Sequence, residues 1–193
     1  MAALNILART IAFVILLVPG GLVSAAAQEM FPNQDFLIFA FVLYLGELFV
    51  VTVFHELGHA LAAWLCGWPV EMIAIVPIAY RTKTKRFEFW TRLSADLAGM
   101  VVFRAARNVT PFKLAFLSLA GPLASFVFAA LMLALSAFAP WRLGRDLFGS
   151  TGAMSVFFGI GNLIPFYTSK GMRSDGLGII HALFAQVANK RLT

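Results

Sequence analysis

His55, Glu56 and His59 stand in the run His55-Glu56-Leu57-Gly58-His59, an HExxH spacing. On a helix, residues four apart share one face, a turn apart, so both imidazoles can reach a single metal ion. The Glu56 carboxylate stands beside them, where it can hold a water rather than the metal. Zinc lowers the pKa of such a water towards about 7, and a neighbouring carboxylate can take its proton and later give it to a leaving amine. The pattern points to metal-assisted hydrolysis. The plainer reading is that the three groups only hydrogen-bond between helices.

The element that must position them is apolar throughout. The run from Phe36 to Gly67 is long enough for a helix of about 48 Å, which exceeds the roughly 30 Å hydrocarbon core and so tilts or projects. Titratable groups at such depth are costly, which marks Glu47, His55, Glu56 and His59 as functional suspects, and a bound metal would explain the two histidines and Glu56. The rest of the chain agrees. Of 193 residues, 61% are hydrophobic and 12% charged, against about 25% charged in soluble domains. The mean hydropathy is +0.86. The net charge of +6 does not indicate nucleic acid, because no basic stripe stands on a soluble module. The single cysteine, Cys66, excludes an internal disulfide and reads as a small buried residue.

These features predict an all-α polytopic membrane protein forming one domain over residues 1–193. It has about four spans, near 11–27, 36–67, 112–138 and 151–167. The first reads as a retained helix bent at Pro19; a cleaved signal segment is the alternative. The stretch from Trp68 to Phe112 is basic and therefore expected inside. Within it, Val70 to Tyr80 reads as a short strand or hairpin at the membrane surface. Leu93, Leu97, Met100 and Val101 recur at helical spacing and suggest a short amphipathic helix over Arg92 to Arg107. Arg142 to Phe148 reads as an outside loop, and Leu177 to Val187 as a terminal helix.

A catalytic zinc needs a third protein ligand and an open fourth position. Asp175, His181, Glu47 and Asp35 are the candidates. HExxH lies in the inner half of the second span, and Asp175 follows the inner end of the fourth, so the two can meet at one depth. Asp35 lies at the outer surface. Glu47 is two turns outward on the same helix, too far to join. His181 is on the correct side and stands second.

Three motifs now carry a resemblance. Phe54-His55-Glu56-Leu57-Gly58-His59-Ala60 lies inside an apolar helix. Leu119-Ala120-Gly121-Pro122-Leu123-Ala124-Ser125 lies in the next. Asn162-Leu163-Ile164-Pro165 is followed by Ser174-Asp175-Gly176. Together they resemble the site-2 protease family of intramembrane zinc metalloproteases, over about residues 36 to 180. The resemblance implies that Asp175 is the third zinc ligand. It also implies that Asn162 positions substrate or polarises its carbonyl. Two departures stand out: thirteen residues separate Asn162 from Asp175 where the family often has about nine, and Ser125 stands where the family often has Asn. Tyr167 to Arg173 form the inserted loop.

The expected function is hydrolysis of a peptide bond in or near the transmembrane segment of another protein. One Zn2+ is held by His55, His59 and Asp175, and Glu56 activates water. The Val70 to Tyr80 stretch could act as an edge strand that binds extended substrate by backbone pairing. Size and the basic inner loop suit a bacterial inner membrane with the site towards the cytoplasm. A non-catalytic homologue that binds membrane partners is the first rival, and a metal transporter the second.

Overall fold

The computed structural model describes residues 2–30, 36–90, 98–105 and 109–190. The chain is mostly helical. α1 (Ala2–Leu17) and α2 (Pro19–Met30) are separated at Val18. Pro19 lacks the N–H that would continue the ladder, and helices commonly end at the residue before a proline. α3 (Phe36–Leu65) carries HExxH. Four short strands follow, β1 (Val70–Ile75), β2 (Ile78–Arg81), β3 (Arg86–Phe89) and β4 (Gly99–Phe103). α4 (Pro111–Phe138), α5 (Arg142–Leu163) and α6 (Asp175–Lys190) complete the chain.

Three helical stretches are long and apolar enough to cross a membrane: Ala2–Glu29, Phe36–Leu65 and Pro111–Phe138. The expected first span over 11–27 thus starts earlier, at Ala2. The helix at the expected fourth span, 151–167, has other bounds. It begins at Arg142, absorbs the outside loop expected over Arg142 to Phe148, and ends at Leu163. α5 is not among the three long apolar stretches, and its packing explains why. Its buried positions include Gly144, Ser150, Gly152, Ser155, Gly159 and Gly161. Side chains this small let a helix pack closely against its neighbours. A Cβ at Gly152 would press on Leu133 of α4, and one at Gly159 on Phe126.

The core between the helices is built from one or two residues of each of α2 to α5. Val23 (α2), Val51 (α3), Phe128 (α4), and Met154 and Phe158 (α5) form one buried cluster. A second cluster, Ala62, Ala63, Trp68 and Leu117, ties the end of α3 to the start of α4. Cys66 is partly buried against it. Thr110 caps α4, accepting the Lys113 N–H, and Pro111 opens the helix where a missing N–H costs nothing.

The sheet is antiparallel in the order β3-β2-β1-β4. A strand or hairpin after the HExxH helix was expected, and the structure has four strands. β1 is interior, bonded to β2 on one side and β4 on the other, so it is not the edge strand that the sequence suggested. The edges are β3 and β4. The helix expected over Arg92 to Arg107 is corrected where it can be seen: Met100 and Val101 lie in β4, while Leu93 and Leu97 are outside the described residues.

Candidate metal centre

α3 presents His55 and His59 one turn apart, and α6 presents Asp175 as its first residue. His55 Nε2 lies 3.2 Å from His59 Nε2 and 3.0 Å from Asp175 Oδ2; His59 Nε2 lies 3.3 Å from Asp175 Oδ1. Ligands at 2.0–2.1 Å around a tetrahedral ion stand about 3.3 Å apart, and the two imidazole nitrogens have that spacing from each other, while each meets a different oxygen of the Asp175 carboxylate at a similar distance. His55 and Asp175 come from positions 120 residues apart in the chain.

The outer nitrogens are fixed as well. His59 Nδ1 donates to the Leu117 carbonyl at 2.8 Å, and His55 Nδ1 bonds Ser125 Oγ at 2.9 Å. A neutral imidazole that donates from Nδ1 carries a bare lone pair on Nε2. His59 is held in that form by the carbonyl, the Ser125 hydroxyl can accept from His55 in the same way, and two such lone pairs facing one carboxylate make a donor set that suits a cation. Gly121 of α4 leaves the room. A Cβ there would stand 2.7 Å from His55 Nε2 and closer still to His59 Nε2. His55, His59 and Asp175 could therefore hold a metal ion.

Glu56 and the three donors line a cavity of about 270 Å³, which also takes in β4, Phe158 and Asn162. β4 passes directly over the Glu56 carboxylate, and a Cβ at Gly99 would stand 2.5 Å from Glu56 Oε1. A larger apolar cavity of about 790 Å³ lies between α1, α3 and α5, and shares Ala98, Phe158, Asn162 and Phe166 with the first.

The profile of peptidase family M50 matches residues 40–143, from within α3 to the first turn of α5 and over half of the chain. The chain belongs to peptidase family M50. This is the site-2 protease family anticipated from the three motifs. It brings with it an integral membrane protein and a metallopeptidase ancestry. No curated protein and no solved structure matches the chain. The M50 match ends before Asn162 and Asp175, so the third donor rests on the geometry above.

The other sequence candidates are placed elsewhere. Glu47 accepts from Ser150 Oγ at 2.6 Å and is buried away from the cluster. His181 bonds the Tyr167 hydroxyl at 3.2 Å. Asp35 lies outside the described residues. Asn162 faces both cavities while its Nδ2 donates to Phe158 O at 3.0 Å. The inserted loop folds on itself, with Tyr167 bridged to Arg173 and Ser174 Oγ donating to Ile164 O at 2.7 Å. Asn5 of α1 clips this loop by both halves of its amide: Nδ2 donates to Tyr167 O at 3.1 Å, and Oδ1 accepts Tyr167 N–H at 2.6 Å.

Sequence reasoning missed the supporting roles of Gly99, the Leu117 carbonyl and Asn5. It placed Gly121 only as part of the Leu119 to Ser125 motif. Ser125 was noticed as a departure from the family pattern; its position four residues after Gly121, on the same face of α4, was the available signal.

Proposed function

We propose that the protein is an intramembrane zinc metalloprotease that hydrolyses a peptide bond in or near the transmembrane segment of another membrane protein. The observation that carries this reading is the cluster of His55, His59 and Asp175 beside Glu56, in a cavity at the end of a membrane-length helix of an M50 family member. Zinc at this cluster supplies a Lewis acid that acidifies water and polarises a scissile carbonyl. Glu56 takes the proton of the attacking water and returns it to the departing amine. Ser125 and the Leu117 carbonyl hold the imidazoles by Nδ1, so that both Nε2 atoms stay turned inward. Asn162 contacts the substrate near its scissile carbonyl. The outer edge of β4, beside Glu56, takes an extended substrate by backbone pairing, in place of the interior β1.

Membership of M50 supports a membrane-protein substrate and a lipid environment. The basic residues Arg81, Lys83, Lys85, Arg86 and Arg104, between α3 and α4, support an orientation with the site towards the cytoplasm of a bacterial inner membrane.

The test is zinc content per chain in detergent-purified protein. Wild type is expected to hold about one zinc, lost in both His59→Ala and Asp175→Ala. Glu56→Gln is expected to keep the zinc and lose cleavage of a membrane-protein substrate. Zinc retained in Asp175→Ala would move the third ligand elsewhere. Wild type that takes up no zinc would sink the protease reading, and Glu56→Gln with unchanged function would favour a non-catalytic binding homologue.

A further inference from the structure

Beyond the hydrolytic reading, the β2–β3 hairpin has a surface of its own. Its register pairs Ile78 with Phe89 and Tyr80 with Phe87. The intervening pairs are Ala79 with Glu88 and Arg81 with Arg86. Side chains alternate between the faces of a strand, so the first two pairs share one face and the others point away. The hairpin is therefore amphipathic. Tyr80 and Phe87 have ring centroids 4.9 Å apart, and Phe87 and Phe89 are 75% and 84% exposed. On the opposite face, Arg81 Nε donates to Glu88 Oε1 at 2.7 Å, which holds the Glu88 carboxyl below the usual carboxylate range. Lys83 and Lys85 in the connecting turn, and Arg86 after it, are exposed. The hairpin thus carries Arg81, Lys83, Lys85 and Arg86 against the single acid Glu88.

Its level relative to a bilayer follows from its neighbours. The sheet lies between the end of α3 and the start of α4, both of membrane-spanning length. Those ends carry exposed Trp64 (71%) and Phe112 (75%). Trp is enriched at the headgroup level of membrane-spanning helices, so Trp64 marks that level. A hairpin at that level with one aromatic face and a basic turn has the composition of a segment lying in a negatively charged interface.

We propose that the β2–β3 hairpin docks on anionic lipid, with Ile78, Tyr80, Phe87 and Phe89 in the headgroup–acyl boundary and Lys83 and Lys85 of the turn on the headgroup phosphates. Because β3, β2, β1 and β4 form one sheet, this docking fixes the depth at which β4 crosses Glu56.

The experiment uses the full chain with Cys66→Ala and one nitroxide label at Phe87→Cys or Glu88→Cys. The protein is reconstituted in vesicles of phosphatidylcholine alone or mixed with phosphatidylglycerol. Accessibility is read with oxygen, which partitions into lipid, and with a water-soluble nickel chelate. The label at position 87 is expected to favour oxygen and that at 88 the nickel chelate. The contrast is expected to grow when phosphatidylglycerol is present and to lose that gain in Lys83→Gln/Lys85→Gln. A label at Phe89→Cys reads the same face as position 87 independently, so misfolding of one variant does not decide the result. Equal nickel access at 87, 88 and 89 would overturn the proposal. So would shielding of 87 and 89 from both reagents, which would mean a protein partner or a second copy covers the face. An alternation indifferent to phosphatidylglycerol would overturn the anionic preference.

Discussion

A Cβ at position 121 would intrude on both facing imidazole nitrogens. Gly121→Ala is therefore expected to lower metal affinity by about tenfold or more, as changes around metal ligands do, measured by competition with a chelator. Gly99→Ala reaches a different atom. Its Cβ would meet Glu56 Oε1 at 2.5 Å and leave the metal donors alone. Metal content is expected to stay at the wild-type level while cleavage falls by about a hundredfold, the scale of a displaced general base. Ser125→Ala removes the partner of His55 Nδ1 and is expected to weaken metal binding by roughly ten- to a hundredfold. The HExxH triplet was legible in the sequence because helical periodicity alone puts 55 and 59 on one face. Gly99, Ser125 and the cavity role of Gly121 were not, since each acts on a residue of another element.

At the scale of elements, the position of Asp175 depends on how α6 starts. Gly176 packs so tightly on the end of α5 that a Cβ would fall on the Leu163 carbonyl. The preceding loop, longer than the family pattern, is tied down by Ser174 and by the Asn5 amide. Asn5→Ala removes two exposed hydrogen bonds and is expected to cost about 1–2 kcal/mol. Trypsin cleavage at Lys170 or Arg173 should become faster, with gel analysis of the native protein as the check. The loop could be read from the sequence as a polar insertion, but its closure could not, because Asn5 and Tyr167 lie 162 residues apart. β4 was misread for a related reason. Leu93, Leu97, Met100 and Val101 fit a helical period, yet Gly99–Phe103 is extended because pairing with β1 satisfies its backbone. β1 in turn loses its role as an edge to the same pairing.

Across the whole molecule, the metal cluster joins α3 to α6. A metal bound only by the folded state stabilises it by about 2.7 kcal/mol when the free ion is a hundredfold above its Kd. Chelator is therefore expected to lower the thermal unfolding midpoint of wild type in detergent and to leave Asp175→Ala unchanged; equal shifts in both would argue against the cluster as the binding site. The sequence by itself determined the apolar character of the chain, because long uncharged runs have few other stable uses. It also determined the HExxH pair, because a single helix holds both histidines. The three motifs made the family recognisable. Tertiary structure decided the remainder: that Asp175 meets the histidines and His181 and Glu47 do not, that β1 is interior and β4 borders the cavity, and that α5 packs closely against α1, α2 and α4. Each of these depends on which distant segments come into contact, and residue type and periodicity along one chain segment do not encode that.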